Sequence, residues 1–141
     1  KEMGKKIVFT NGCFDILHPA HIKLFEFCKD IGRNTLLIIG MNSDASVRRL
    51  KGENRPVHSQ EYRKFMLSAI RYIDYVTIFD EDTPEDLITH LAPDVLVKGG
   101  DYNIDTIVGA KHAQDYGGRV LVFKYIDGYS SMLEIERLKN G

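Results

Sequence analysis

His18 and His21 stand three residues apart, directly after the first apolar run of the chain, with Pro19 between them. Proline suits the opening turn of a helix, so a helix starting near Pro19 sets both imidazoles on neighbouring positions of its first turn. There they join the free backbone amides and the positive end of the helix dipole, which makes a compact anion site without a lysine-bearing phosphate loop. Capping or packing is the competing reading of the same pair. A zinc site is another, and it needs a further ligand such as Cys13 or Asp15, with no second cluster elsewhere to complete a tetrahedron.

The elements that must hold this pair follow from the pattern of apolar residues. Residues 6–11, 35–40, 75–79, 94–98 and 119–123 are short, β-branched, nearly continuous apolar runs, as in parallel strands covered on both faces. Leu24, Cys28 and Ile31 recur at helical spacing, widened by Phe25, and Gly32 stands where a left-handed residue would end that helix. Further helices are expected near 43–50, 60–72, 84–91, 104–116 and 131–139. The alternation implies right-handed crossovers and an α/β fold, a Rossmann-like doubly wound parallel sheet with helices on both faces. Its ligands bind at the carboxyl ends of the strands, where Thr10 to His21 begins.

The chain has 141 residues, 43% of them hydrophobic, and we read 1–141 as one domain. Folding at this size buries roughly two thirds of the unfolded surface, so no disulfide staple is needed. Cys13 and Cys28 form no Cys-x-x-Cys pair and are expected as reduced thiols. With 19 basic against 20 acidic residues, the molecule has no broad field for nucleic acid or an anionic membrane, so neither is an expected partner and an anion site must be local. No apolar run reaches the roughly 18 residues of a membrane span, and a cytoplasmic location is expected. The least regular stretch, 51–59, is basic and carries Gly52 and Pro56, as a functional loop would.

Gly12-Cys-Phe-Asp-x-x-His-x-x-His21 resembles the G-x-F-D-x-x-H-x-G-H signature of the cytidylyltransferase-like nucleotidyltransferases. The resemblance runs from about Ile7 to Leu138. Residues 42–46, Leu50-Lys-Gly-x-x-Arg-Pro-Val57, Arg63, residues 82–84 and Val97-Lys-Gly-Gly-Asp-Tyr102 are similar to the branch that adenylylates heptose 1-phosphate for surface sugars. It implies transfer of a nucleotidyl group from a nucleoside triphosphate to a phosphorylated acceptor, with release of pyrophosphate. The acceptor is already anionic, so no protein nucleophile is required. The enzyme holds two repelling anions in line and neutralises the developing charge, usually with Mg2+.

The resemblance also assigns roles. His18 and His21 contact the triphosphate, and with Lys51 and Arg63 they form the catalytic set. Lys51, Arg55 and Arg63 line the acceptor site, and Lys23 is a lesser candidate on the helix after the histidines. Thr10, Asn11, Gly12, Cys13, Phe14 and Asp15 surround the nucleotide, Phe14 by packing under the turn and Asp15 by fixing the loop or helping to hold magnesium. Gly12 admits close approach of the nucleotide, Lys98, Gly99 and Asp101 form the base or ribose pocket, and Ser130 and Ser131 close over the triphosphate. A homodimer is expected. The family's bifunctional members carry a sugar kinase domain for which 141 residues leave no room.

Two residues depart from the pattern. Ala20 replaces the usual glycine between the histidines, and Met132 takes the place of a hydroxyl residue. The runner-up reading is a CTP-dependent cytidylyltransferase acting on glycerol 3-phosphate or a similar polyol phosphate. Those enzymes usually carry Arg-Thr-x-Gly-Ile-Ser near the end, whereas this chain has Tyr125-Ile-Asp-Gly-Tyr-Ser130. Flavin adenylyltransferases share the His-Pro-x-His form, and a nucleotide-binding module without turnover is the alternative from a different class.

Overall fold

The computed structural model describes residues 4–100 and 102–124. Five parallel strands, β1 (Lys6–Gly12), β2 (Thr35–Asn42), β3 (Tyr75–Phe79), β4 (Val95–Gly99) and β5 (Arg119–Phe123), form one sheet in the order β3-β2-β1-β4-β5. The chain moves outward from the central β1 to β2 and β3, then returns to β4 on its other side. This is the Rossmann-like arrangement expected from the alternation of elements. The switch point where ligands bind in such sheets lies between β1 and β4.

The helices are α1 (Pro19–Lys29), α2 (Asp44–Lys51), α3 (Gln60–Ser68), α4 (Glu85–Leu91) and α5 (Ala110–Asp115). Strands buried on both sides need apolar residues at consecutive positions, and β1 shows why: Val8 faces Leu24, Phe25, Cys28 and Leu67 of α1 and α3, while the next residue, Phe9, packs with Ile88, Ala110 and Ala113 of α4 and α5. Gly40 is dictated by this second layer, because a Cβ there would stand 2.6 Å from Phe9 Cζ. Leu24, Phe25 and Cys28 are fully buried on α1, as their spacing implies.

Three helix boundaries differ from the sequence expectation. The first helix ends at Lys29 with Asp30 as its cap, and the left-handed residue before β2 is Asn34 (φ 55°), not Gly32. The third ends at Ser68 instead of Tyr72, because the amides of Ile70 and Ile73 turn back onto the carbonyls of Leu67 and Ile70 and feed the chain into β3. The expected helix over 104–116 is broken into a 3₁₀ turn, Ile104–Thr106, and α5, because Gly109 is left-handed (φ 84°) and lies against Ile88, which a Cβ would meet at 3.0 Å. The helix expected over 131–139 lies outside the described residues.

Candidate active site

The chain leaves β1 through a tight turn. Phe14 takes a left-handed backbone (φ 48°) that tucks its ring beneath Gly12, where a Cβ would meet the ring at 3.1 Å. Phe14 therefore crowds Gly12 from one side, while Gly12 also lines the cleft where the motif expects a nucleotide. The same ring meets His21 edge-on at 5.4 Å and Phe25 at 5.3 Å between centroids. Phe14 is the floor on which the histidine helix starts.

His18 is the N-cap of α1, with Pro19 in the first turn. Its backbone N–H donates to His21 Nδ1 at 3.2 Å, and the two imidazoles stack with centroids 3.8 Å apart. A nitrogen that accepts a hydrogen bond carries no proton, so neutral His21 bears its proton on Nε2. Burial, reinforced by the adjoining His18, pulls the His21 pKa down to about 3. His21 is thus a neutral donor held in a fixed tautomer, not a cation. Ala20 is buried beside it, so its added methyl group points into protein and not into open space. Leu17, His18, Pro19, Ile22 and Lys23 line an open depression on this side.

Asp15 organises the loop that follows. Its carboxylate accepts from Arg55 Nε (2.9 Å), Val57 N (2.7 Å) and His58 N (2.9 Å) and is buried. Burial alone would raise its pKa, but the amides of His58 and Val57 and the guanidinium of Arg55 outweigh that and hold it below the ordinary carboxylate range. Three donors on its two oxygens tie Asp15 to the loop. Among the described residues no three His, Cys, Asp or Glu side chains cluster as a metal site, so the protein groups in view do not build a cage for magnesium.

Arg63 departs furthest from its expected place. It is 1% exposed, and its guanidinium donates to His58 O (3.0 Å), Cys13 O (2.8 Å), Asn42 O (2.7 Å) and Asp44 Oδ1 (2.8 Å). Arg55 is likewise buried against Asp15. Neither arginine lines the cleft at the switch point, where the acceptor was expected to meet them. Both tie loops together instead.

A cleft of about 380 Å³ opens at the switch point, beside the wider and shallower depression that His18 lines; neither histidine lines the cleft. Asn11, Gly12 and Cys13 come from the end of β1, Asn42 from β2, Lys98 from β4 and Lys51 from the last turn of α2. Asn11 and Lys98 share a face because Phe9 pairs with Leu96 and each lies two residues further along its strand. Asp82, Thr83, Pro84, Tyr102 and residues 106–108 close the far side. Lys98 Nζ lies 5.2 Å from the Tyr102 ring centroid, and burial chiefly, with nearby Lys51, lowers its pKa. Among the described residues neither lysine has an ion-pair partner, whereas Asp82 on the wall is bound to Arg49 at 2.9 Å.

Cys13 is half-buried, and burial raises its thiol pKa despite nearby Lys51, Arg63 and Arg55. A protonated thiol fits chemistry that needs no protein nucleophile. Thr10 is fully buried below the cleft and Gly99 does not line it, while Asp101, Ser130, Ser131 and Met132 lie outside the described residues. Lining residues given no role from the sequence include Asn42, Leu50 and Thr83, which lie within the quoted motif segments, and Thr106, which does not. Asn42 was findable from register, since parallel β2 reaches the rim beside Gly12; Thr106 was hidden by the unforeseen break at Gly109.

The cytidylyltransferase-like family matches residues 9–135. The "Bifunctional protein HldE" of Marinomonas sp. (strain MWYL1) is 55% identical over 134 residues, 95% of this chain and 28% of the relative. That of Geobacter sulfurreducens is 52% identical over 138 residues, 98% of this chain and 28% of the relative. The chain thus spans little more than a quarter of the length of these curated relatives. In fold it is similar to the lipopolysaccharide core biosynthesis protein of Thermoplasma volcanium GSS1, with a TM-score of 0.67 at 21% identity, covering 89% of this chain and 98% of that one. The matched residues include both histidines, the Phe14–Asp15 turn and the lysines of the cleft, and the chain belongs to the cytidylyltransferase-like family of nucleotidyltransferases.

Proposed function

We propose that this domain transfers an adenylyl group from ATP to a sugar phosphate, heptose 1-phosphate, releasing pyrophosphate and giving a nucleotide-activated sugar for surface polysaccharide. The observation that carries this reading is the cleft at the switch point, whose two lysines, Lys51 and Lys98, have no described ion-pair partner and stand beside the turn into the histidine-capped helix. The identity of about half the residues with the HldE relatives supports the sugar-phosphate branch.

In this mechanism the lysines offset the repulsion between the triphosphate and the acceptor phosphate, and the start of α1 offers amides and the imidazoles of His18 and His21 to phosphate oxygens. The attacking group is an oxygen of the acceptor phosphate, which needs no deprotonation by the protein. It bonds to the α-phosphorus as the bond to the bridging oxygen breaks, and the electron pair leaves with pyrophosphate. Magnesium, which would add positive charge at the phosphates, is proposed to arrive on the triphosphate oxygens.

The test is pyrophosphate release with magnesium, crossing ATP, CTP, GTP and UTP against heptose 1-phosphate, glycerol 3-phosphate and flavin mononucleotide. ATP with heptose 1-phosphate is the pair expected to turn over. CTP with glycerol 3-phosphate alone would replace this reading by the polyol-phosphate one, and silence from folded protein that binds nucleotide would point to a module without turnover.

The same reading places the domain in the cytoplasm and pairs it as a homodimer. No described helix is long and apolar enough to cross a membrane. Tyr62, Phe65 and Met66 form an exposed apolar face on α3, with Phe65 74% exposed. Light scattering at working concentration is expected to give twice the chain mass; the mass of one chain would overturn the dimer.

A further inference from the structure

Helix α2 carries Lys51 to the cleft on its last residue, yet it buries only Ser46 and Val47. So small an apolar footing leaves its direction to polar ties at the N-terminal end. Ser43 caps it, Ser46 Oγ donates to Glu81 O (2.9 Å), and Asp44 N–H donates to Gln60 Oε1 (2.9 Å). Among the described residues, the charged tie of this helix with a fully buried partner is Asp44 Oδ1 to Arg63 Nη2 at 2.8 Å, the arginine side chain being 0% exposed and the aspartate 25%. Near the other end, Arg49 pairs with Asp82 and donates to Asp80 O, both in the open, the pair at 49% and 62% exposure, where such ties hold little.

The guanidinium that grips Asp44 also binds the carbonyls of Cys13 and Asn42 through Nη1. Both of those residues line the cleft. A single planar group therefore sets two walls of the cleft and the root of the helix that delivers its cation. Seven residues separate Asp44 from Lys51, about 10 Å of helix axis, so a tilt of about 10° at the root moves the lysine by roughly 2 Å. Displacements of that size matter where charges must meet a reacting phosphate.

We propose that Asp44 and Arg63 are positioning residues for Lys51: they act on the reaction through the placement of that lysine and do not touch substrate. The proposal rests on the nucleotidyl-transfer reading of the cleft. It gives Asp44 a role and moves Arg63 from contact with substrate to support.

The test is a double-mutant cycle of Asp44→Ala and Lys51→Ala, read as kcat/KM with ATP and heptose 1-phosphate and, separately, as the dissociation constant for ATP by calorimetry. Asp44→Ala in the otherwise unchanged protein is expected to lower kcat/KM by about 10- to 100-fold, and by less than about 3-fold when Lys51 is already alanine, because the group it positions is gone. Asp44→Asn, which keeps an oxygen for Arg63 Nη2, restores most of the loss. Arg63→Lys removes the fork and is followed with a thermal melt, so that unfolding is told from mispositioning; the Asp44 variants keep all three carbonyl bonds of Arg63 and carry the test if Arg63→Lys fails to fold.

An equal loss in both backgrounds, or no loss in the unchanged protein, would overturn the positioning role. A protein that binds ATP but turns over no acceptor would overturn the proposed reaction and leave the cycle to be read on ATP affinity. A protein that does neither would overturn both.

Discussion

His21→Ala is expected to lower kcat by about 10²- to 10³-fold, the scale seen when one donor aimed at developing charge is removed. The substitution takes away the Nε2 donor and also the acceptor for His18 N–H, so a smaller loss of stability, on the order of 1 kcal/mol, accompanies it. His21→Asn separates the two effects: its side-chain oxygen can cap His18 N–H, which restores stability, while the imidazole donor stays missing and the slow turnover remains. Single-turnover pyrophosphate release and a urea melt on the same preparations make the comparison. Turnover within 3-fold of the unchanged protein would remove His21 from the mechanism.

The protonation state of this residue gives the prediction a pH dependence. Its pKa falls from 6.5 to about 3 on folding, first through burial and then through His18. The unfolded chain therefore binds a proton between those limits that the native protein refuses, so the unfolded state gains as the pH falls. Stability from this group is complete above about 6.5 and is lost by up to about 1.4 kcal/mol per unit as the pH descends toward 3. His21→Asn flattens that slope. The pH profile of kcat carries no limb from His21 between 5 and 8.

Asp15→Ala is expected to cost about 3–5 kcal/mol, the range for removing one partner of a buried ion pair. Arg55, 8% exposed, would be left without its described counter-charge, and the amides of Val57 and His58 would lose their acceptor together. The loop from Lys51 to Ser59 then parts from the first turn, and activity falls with it. Asp15→Asn keeps an oxygen acceptor and is expected to lose about half as much. In acid the native Asp15 holds its charge below the ordinary carboxylate pKa of about 3.9, so its contribution is present above that value and disappears as the pH falls through the depressed one. That window lies below most of the His21 window. A melt series from pH 7 to 2.5 separates them, and an Asp15→Ala protein as stable as the parent would end the claim.

Strands were legible because a buried parallel strand writes consecutive β-branched residues into the sequence; 75–79 and 119–123 were placed to the residue. Helix ends were less legible where the chain broke regularity for packing. Gly109 looks like any glycine inside an amphipathic stretch until Ile88 of another helix is seen against it. Of the residues the motifs named, Asn11, Gly12, Cys13, Lys51 and Lys98 line the cleft, being local patterns at strand and helix ends, while His18 lines the neighbouring depression. The arginines lie outside the cleft lining. Whether a cation faces a ligand or a carbonyl depends on partners distant in sequence: Arg63 binds Cys13, fifty residues earlier, and Asn42, twenty-one earlier. At Gly12 the motif did not reveal a second constraint, the ring of Phe14, only two residues on, that crowds it.

On the proposed function, two lysines kept without described counter-ions in a concave site also bear on how fast a nucleotide arrives. A chain with a formal charge of -1 repels a polyphosphate weakly at long range, yet field lines from Lys51 and Lys98 are focused outward through the mouth of the cleft. Capture is steered over roughly one Debye length, about 8 Å at physiological salt, so the association rate falls as ionic strength rises while dissociation changes much less. On that reading, the charges proposed to meet phosphate inside the cleft make the encounter with it a salt-tuned event.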